Sequence, residues 1–353
     1  MEVVTVNQVK SYNISLVKRA LCSIPAGTKN DIARLTGLSV ATCNTLLNEM
    51  AQTGEIIELQ NSMSGIGRPP KLFRFNEAYA YVCCIFLKKI GRTFAALHYA
   101  VTDLNGNFVC ENEENYDEVS FETIVNCIAH LKELYPKISM ISLGVPGYYH
   151  KNRIRSSGRP VLEGRDVVKE LYEQFACDVY VENDMNATAF GLYYYRDDIV
   201  KRNENIVLIT MLKEDSLGAG TVIDGKILRG QTYFAGELLH MEYSGKSVRE
   251  LLRSGREGVI DVATHQVVNI SALINPAVIV FTGNNISAYE IDEIRDGALK
   301  YISEDNMPRI LYKSHFERYY LQGLAAIALD ENNISLSEKY FEKSAKSNPV
   351  LPE

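Results

Sequence analysis

The chain has 353 residues, of which 46% are apolar and 23% charged, and it carries a net charge of −7. This length exceeds what one hydrophobic core usually supports, so two or three domains are expected. The apolar runs are short and interrupted by charged residues, which argues against a membrane span. Residues 1–15 lack the basic-then-apolar order of a signal peptide. We therefore expect a globular protein of the cytoplasm.

The cysteines give no sign of a disulfide framework or a metal site. There are seven, an odd number, and no two of them form a CxxC pair. In a reducing compartment such residues behave as small buried apolar side chains. We expect no cysteine-bound metal and no cofactor.

The charge is unevenly distributed along the chain. Residues 1–76 hold 8 of the 37 Lys/Arg and 5 of the 44 Asp/Glu, a balance of +3, so residues 77–353 carry −10. A basic N-terminal part on an acidic body fits a small DNA-contacting module carried by a larger domain. The sequence therefore predicts two domains, at residues 1–76 and 77–353.

The first 76 residues begin with the pattern of three short helices. Residues 12–24 place apolar side chains on one face of a first helix. Thr28 is a capping residue for a second helix, with Asp31 three positions later as in a capping box. Gly37 ends that helix, because glycine adopts a left-handed turn most easily, and Ser39 caps the third. Two short helices joined by a tight glycine turn are typical of a helix-turn-helix.

The third helix is predicted to bury Val40, Cys43, Leu47 and Met50 and to end near Gly54. Five small or amide side chains then face outward and, with the cap Ser39, are predicted to contact DNA: Ala41, Thr42, Asn44, Thr45 and Asn48. Asparagine can pair with adenine, and alanine or threonine methyl groups can contact thymine. The alternative is a helical hairpin that packs on the body or on a partner.

A wing is predicted after the third helix. Two strand-like runs, residues 55–60 and 72–76, are separated by a loop rich in glycine and serine. Within this loop Gly67-Arg68-Pro69 keeps the backbone extended and projects an arginine, a shape that suits a narrow minor groove. Arg68 and Lys71 are therefore added to the predicted DNA contacts.

The remainder of the chain alternates between strands and helices. Strand-like runs lie at residues 81–87, 94–102, 140–144, 179–181, 206–211 and 278–282. Helical stretches between them include residues 121–134 and 166–175. This alternation predicts an α/β body.

Five motifs follow one another in the body. They are GVPG at 144–147, VENDMNA at 181–187, GAGTVIDGK at 218–226, AGELLHM at 235–241 and NPAVIVFTG at 275–283. In this order they resemble the ROK family of repressors, open reading frames and sugar kinases, and the likeness runs from about residue 81 to residue 329. The GLAAI run at 323–327 resembles the small-residue C-terminal helix of that family. The N-terminal part resembles the DNA-binding region of its xylose-type and N-acetylglucosamine-type repressors.

The resemblance implies a winged helix-turn-helix followed by a two-lobed, actin-like sugar-kinase fold with the ligand between the lobes. It assigns the sugar contacts to five residues: Gly147, Asn183, Asp184, Glu237 and His240. Asp184 stands where family kinases have the base that deprotonates the sugar hydroxyl. Without catalysis a carboxylate there still accepts hydrogen bonds from hydroxyls, and Asn183 offers both a donor and an acceptor. The alternatives are a helix cap for Asp184 and a structural role for His240.

Two departures from the family pattern concern phosphate and metal. Family kinases hold phosphates with an early DxGGT loop, but between Glu77 and Asp103 this chain has no acidic residue and only one glycine, Gly91. The cysteine zinc motif of the family is also missing, since residues 241–262 contain no cysteine. In its place we expect a short helix that packs through Val248, Leu251 and Leu252. In addition, Leu239 replaces the glycine of the family's ExGH motif.

The sequence therefore predicts a sugar-responsive DNA-binding transcription regulator, a repressor or activator, that has lost kinase activity. Because a helix-turn-helix reads one half-site, we expect a homodimer or a dimer of dimers. One alternative is a sugar kinase with an accessory DNA-binding part, which the glycine loop at 218–220 and Asp184 favour. Another is a regulator whose pocket is lost and whose input is a protein.

Overall fold

The computed structural model describes residues 6–59, 70–90, 93–155, 161–195, 200–201, 203–213, 216–243 and 245–331. These residues form a mixed α/β structure, as the sequence predicted. No helix within the described ranges has the length and apolar character needed to cross a membrane.

The N-terminal segment folds as three helices followed by a pair of strands. Its elements are α1 (Val6–Ser23), α2 (Lys29–Thr36), α3 (Val40–Thr53), β1 (Ile56–Leu59) and β2 (Leu72–Phe75). Helix α1 begins at Val6 rather than at residue 12 as predicted. Residues 7–12 are exposed, and an exposed stretch of helix has no apolar periodicity by which the sequence could reveal it.

Local capping interactions set the ends of α2 and α3. The Thr28 side chain accepts a hydrogen bond from the Asp31 amide, and the Asp31 carboxylate accepts one from the Thr28 amide. Gly37 follows α2 with a φ of +72°, in the left-handed region that favours glycine. The Ser39 hydroxyl accepts from the Thr42 amide at 3.0 Å. The predicted capping box and glycine turn are therefore confirmed.

The strands β1 and β2 pair in antiparallel fashion, with Ile56 opposite Phe75. The loop after α1 adds to this sheet, because Gly27 and Phe73 exchange two backbone hydrogen bonds of 2.9 Å. The Asn76 side chain donates to the Gly54 carbonyl at 2.8 Å and so closes the hairpin onto the end of α3. The predicted DNA contact Arg68 lies in residues 60–69, outside the described residues.

The first lobe is built on a five-stranded sheet. In chain order its elements are β3 (Tyr81–Ile90), β4 (Thr93–Thr102), β5 (Phe108–Asn115), α4 (Phe121–Leu134), β6 (Ile138–Val145), β7 (Tyr148–His150), β8 (Arg153–Arg155), α5 (Val167–Phe175) and β9 (Asp178–Asn183). The sheet order is β5-β4-β3-β6-β9, with β3, β6 and β9 parallel. Apolar side chains of α4 and α5 share one core with this sheet.

The second lobe repeats this topology. The remaining elements are α6 (Asp184–Tyr195), β10 (Ile206–Leu212), β11 (Ser216–Ile223), β12 (Lys226–Ile227), β13 (Glu242–Tyr243), β14 (Lys246–Ser247), α7 (Val248–Arg253), α8 (Arg256–Leu273), β15 (Val278–Thr282), α9 (Ile291–Ala298), β16 (Arg309–Tyr312) and α10 (Glu317–Glu331). The sheet order is β12-β11-β10-β15-β16, with β10, β15 and β16 parallel. In each sheet the central strand, β3 or β10, has on one side two strands that pair in antiparallel fashion, and the two strands on its other side run parallel to it.

Helices α6 and α10 pack against each other between the two sheets. A Cβ on Gly191 would lie 1.9 Å from the Tyr319 carbonyl oxygen, and one on Gly323 would lie 1.7 Å from the Ala187 carbonyl oxygen. The two backbones therefore approach at a distance that only glycine permits. Strand β11 is equally close to α6, since a Cβ on Gly220 would lie 2.1 Å from the Met185 carbonyl oxygen.

The short helix α7 lies in the segment that lacks the family's zinc motif, where a packed helix was predicted instead. It begins with a capping box between Ser247 and Glu250. Its predicted packing residues are all buried: Val248, Leu251 and Leu252. The expected packing is therefore confirmed, and this segment offers no thiolate for a cysteine-coordinated zinc ion.

One apolar cluster joins the N-terminal segment to the layer between the lobes. Its buried members from the two regions include Leu21, Ile32, Leu47 and Phe75 together with Val82, Phe190 and Leu324. The N-terminal segment is therefore continuous with the body through this cluster.

The glycine contact between α6 and α10 leads to a stability prediction. Gly191→Ala should lower the free energy of unfolding by about 3 kcal/mol, because the added methyl group meets backbone that cannot move aside. Gly297→Ala in α9 is the matched control, since its Cβ would meet only the Thr264 side chain, at 3.0 Å. Urea unfolding of both variants provides the measurement. Equal stability of the two variants would contradict the prediction.

Candidate functional site

The outward face of α3 is close to the predicted one, with one correction. Ala41, Asn44 and Thr45 are exposed, and Thr42 and Asn48 are half-buried. Val40 was predicted to be buried, but 42% of it is exposed. The buried stripe consists instead of Cys43, Leu46, Leu47 and Met50. The Cβ of a helical residue tilts toward the helix N-terminus. Val40 lies in the first turn of α3, so its side chain points beyond the N-terminal end of the buried stripe.

The polar side chains of this face differ in how far they are already hydrogen bonded. The Ser39 and Thr42 hydroxyls bond to each other at 2.8 Å, and the Thr45 hydroxyl donates to the Ala41 carbonyl at 3.2 Å. No side-chain hydrogen bond of Asn44 is found within the described ranges. Its amide therefore remains available to a ligand, whereas the three hydroxyls mainly stabilise the helix.

The basic residues of the N-terminal segment are largely paired with acids. Lys71, a predicted DNA contact, forms an ion pair with Glu58 at 2.8 Å across the β1–β2 hairpin. Lys10 of α1 forms an ion pair with Glu49 of α3, also at 2.8 Å. Lys29, which the sequence reasoning did not single out, is exposed at the start of α2. Most of the positive charge therefore lies in surface pairs that a phosphate would have to compete with.

Three of the predicted sugar contacts lie where the strands of the first lobe end: Gly147, Asn183 and Asp184. Strands β6 and β9 are parallel neighbours, with Val145 opposite Asn183, so their carboxyl ends meet at one edge of the sheet. Gly147 follows β6 with a φ of +110°, which favours glycine. Asp184 follows β9 directly and begins α6.

Asn183 holds this junction together. Its side-chain nitrogen donates to the Gly147 carbonyl at 2.8 Å. Its side-chain oxygen accepts from the amides of Met185 and Asn186 at 2.9 and 3.1 Å. The predicted acceptor is therefore used inside the protein, and one amide N–H remains for a ligand. The main effect of Asn183 is to position Gly147 against the start of α6.

Asp184 is a perturbed carboxyl group. Burial raises its pKa to about 6, the negative charge of Glu237 adds to the rise, and the Met185 amide and Lys89 oppose it. The Met185 amide donates to one carboxylate oxygen at 2.9 Å. No side chain in the described part of the chain donates to Asp184. Within the described ranges its second carboxylate oxygen is therefore left without a side-chain donor.

An ion pair joins the two lobes beside Asp184. Glu182, at the end of β9, is 4% exposed, and its carboxylate lies 2.6 and 2.8 Å from two guanidinium nitrogens of Arg229. Arg229 follows β12 of the second lobe. The other carboxylate oxygen of Glu182 accepts from the Asn183 amide and the Asn186 side chain at 3.0 Å. This ion pair was not predicted: Glu182 lies in the VENDMNA motif, but no local pattern marks Arg229 as its partner.

The turn after β12 carries Glu237 and His240. Gly236 approaches β11 closely: its carbonyl accepts from the Ala219 amide at 2.9 Å, and a Cβ on it would lie 2.1 Å from the Ala219 carbonyl oxygen. Burial raises the pKa of Glu237, and His240 opposes this rise. His240 itself is exposed at the end of the turn. The structure thus brings Glu237 toward Asp184 and leaves His240 at the rim.

The end of β3 and the turn after it, residues 88–92, carry two lysines and an arginine but no acid. The Lys88 ammonium lies 2.9 Å from the carboxylates of both Glu113 and Glu317. These two acids and His98 are the group whose ligand atoms are close enough to hold a metal ion, judged over the described residues alone. Lys88 already supplies a cation to this group. The turn therefore offers no acid that would orient a magnesium ion on a nucleotide.

Replacing Asp184 with asparagine tests its raised pKa. Since the folded-state pKa of about 6 exceeds the ordinary value of 3.8, the folded chain binds more protons between these values and loses stability as the pH rises through them. Asp184→Asn should therefore be more stable than the wild type at pH 8, by about 3 kcal/mol. The difference should shrink toward zero near pH 4.

Urea unfolding between pH 4 and pH 8 provides this measurement. The same exchange at the exposed Asp296 controls for the loss of a surface charge. A stability difference that did not change with pH would contradict the raised pKa of Asp184.

Comparisons with known proteins agree with this architecture. Residues 89–259 match the model of the ROK family. The xylose repressor of Bacillus subtilis is 24% identical over 250 residues, which are 68% of this chain and 63% of that protein. The match thus spans less than two thirds of the curated relative.

Solved structures show the same fold over nearly the whole chain. A ROK family transcriptional regulator, described as a homologue of the E. coli MLC protein, aligns with a TM-score of 0.71 and 17% identity, covering 95% of this chain and 99% of that one. A putative sugar kinase from Cytophaga hutchinsonii aligns with a TM-score of 0.58 and 16% identity, covering 70% of this chain and 99% of that one. Residues 89–259 thus form a ROK family domain, and the chain has the two-lobed, actin-like fold of these solved structures.

Proposed function

We propose that this protein is a sugar-responsive, DNA-binding transcription regulator. The observation that carries the proposal is the combination of two surfaces in one packed body. Helix α3 presents an exposed amide at Asn44, and the cleft between the lobes presents the carboxylate of Asp184, to which no side chain among the described residues donates. The similarity to the xylose repressor of Bacillus subtilis supports this assignment.

We assign DNA reading to the first half of α3, as the recognition helix of a winged helix-turn-helix within residues 1–76. Asn44 is placed to pair with adenine, while the methyl groups of Ala41 and the exposed Val40 are suited to contact thymine. Thr42, Thr45 and Asn48 are assigned to neighbouring base edges. Arg68 is assigned to a narrow minor groove, and Ser39 and Lys71 to the phosphates. For Lys71 this requires opening its pair with Glu58. Lys29 at the start of α2 is a further candidate for a phosphate contact.

We assign sugar binding to the cleft of the body, residues 77–353. Asp184 and Glu237 accept hydrogen bonds from ligand hydroxyls, and the remaining amide hydrogen of Asn183 donates one. Gly147 leaves the approach to these groups open, and His240 contacts the ligand from the rim. A ligand held by both lobes stabilises the arrangement in which it binds best.

The apolar cluster that links the N-terminal segment to α6 and α10 provides a physical route between the two sites. A change in the relation of the lobes moves the base on which α1 to α3 are packed. If two chains bind a two-fold symmetric operator, such a change alters the spacing of their recognition helices. We therefore propose a homodimer or a dimer of dimers as the DNA-binding form.

Asn44→Ala tests the assignment of the recognition helix. Against a duplex that the wild-type chain selects from a random-sequence pool, this variant should bind more weakly by about 1–3 kcal/mol, because one bidentate base contact is lost. Its salt-dependent binding to unselected DNA should persist.

A gel-shift titration at fixed salt measures both affinities. Gln52→Ala removes an exposed amide near the other end of α3 and serves as the matched control. If Asn44→Ala bound the selected duplex as tightly as this control, α3 would not be the recognition helix.

A sugar kinase is the second candidate function, and the raised pKa of Asp184 is the observation that favours it. A carboxylate with a pKa of about 6 is suited to general-base chemistry near neutral pH. We expect no ATP-dependent sugar phosphorylation, because residues 88–92 contain no acid where a phosphate site requires one to orient the metal ion. A coupled assay with D-xylose and D-glucose is the measurement. Turnover that disappeared in Asp184→Asn would establish the kinase instead.

A further inference from the structure

Two aromatic side chains outside the predicted site lie in the turn that carries Glu237. Tyr233 is 40% exposed and Phe234 is 47% exposed. Large apolar side chains at the surface are unremarkable when scattered, but adjacent ones beside polar pocket groups indicate a binding surface. No sequence motif marks these residues.

The turn that carries the two rings is held firmly at both ends. At its start the side chain of Arg229 is fixed by the buried carboxylate of Glu182. At its end Gly236 is fixed against β11 by its hydrogen bond from the Ala219 amide. Within the turn the Ala235 amide donates to the Arg229 carbonyl at 3.4 Å, which closes it.

Tyr233 adopts a backbone conformation that is rare for its residue type. Its φ is +63°, in the left-handed region that bulky side chains avoid. Such strain persists where the surrounding structure imposes it, and it is concentrated at ligand-binding sites. The two fixed ends of the turn hold Tyr233 in this conformation. Both rings lie outside the hydrophobic cores of the described residues.

The rings flank the polar groups of the cleft. The Phe234 ring centroid lies 5.1 Å from that of His240, and the Tyr233 ring centroid lies 5.6 Å from that of His150 in β7. The Glu237 amide donates to the Phe234 carbonyl at 3.4 Å, so Glu237 follows the rings directly. Because β7 belongs to the first lobe, the Tyr233 contact also spans the cleft.

We propose that Phe234 and Tyr233 form an aromatic wall of the ligand pocket, against which the apolar C–H face of a monosaccharide ring packs. The inference rests on the proposed function and adds to it the side of the pocket that recognises the ring itself. Carboxylates bind the hydroxyls at the edge of a sugar and an aromatic ring covers one of its faces. Together these surfaces select a neutral cyclic sugar.

The chain contains no tryptophan, which allows a direct test. Phe234→Trp introduces a single indole at the proposed wall, and Tyr289→Trp introduces one at a position that is 95% exposed in the second lobe. Each full-length variant is titrated with D-xylose, D-glucose and N-acetyl-D-glucosamine in turn, by tryptophan fluorescence and by calorimetry. For the sugar that binds, the fluorescence of Phe234→Trp should change saturably with the calorimetric Kd, and that of Tyr289→Trp should not change.

Two results would overturn the aromatic wall while leaving the proposed function intact. One is calorimetric binding by Phe234→Trp without a change in its fluorescence. The other is an unchanged calorimetric Kd in Phe234→Leu, which keeps an apolar side chain but no flat ring and should bind about tenfold more weakly. If none of the three sugars binds the wild-type chain, the sugar-sensing function fails, and the wall fails with it.

Discussion

The close contact of α6 with α10 and β11 is the constraint on which the site depends. Glycines at 191, 220 and 323 leave no room for a Cβ between these elements, so α6 is held between the lobes at a fixed depth. The first residue of α6 is Asp184, which therefore lies at the base of the cleft and not on the surface. Burial there accounts for most of the rise in its pKa. The chemistry of the carboxyl group thus follows from backbone packing a few residues away.

Electrostatic pairing stabilises the rest of the cleft. Glu182 is almost fully buried beside Asp184, and a second buried negative charge would be costly without a partner. Arg229 supplies that partner from the second lobe and is fixed in position by it. The same interaction therefore neutralises a buried acid, joins the two lobes and anchors the turn that carries Tyr233, Phe234 and Glu237. This ion pair therefore links the relative position of the two lobes to the position of the turn that carries Glu237.

The N-terminal segment is joined to this framework by apolar packing. Its core is continuous with the layer of α6 and α10, the same layer that positions Asp184. Core packing resists gradual deformation, and small displacements at one site tend to be passed on as shifts of whole elements. The ligand site that we propose between the lobes and the DNA contact that we propose on α3 are therefore parts of one connected body.

Local features of the sequence determined much of this protein. The caps at Thr28 and Ser39, the glycine turn at Gly37 and the order of the ROK motifs predicted the helix-turn-helix layout, the α/β body and α7, because each depends on neighbouring residues. The tertiary structure alone decided the exposure of Val40, the Lys71–Glu58 pair and the hydrogen bonds that occupy Asn183. It also decided the contact of Arg229 with Glu182 and the position of Tyr233 and Phe234. These features depend on residues far apart in the chain, whose proximity no local pattern encodes.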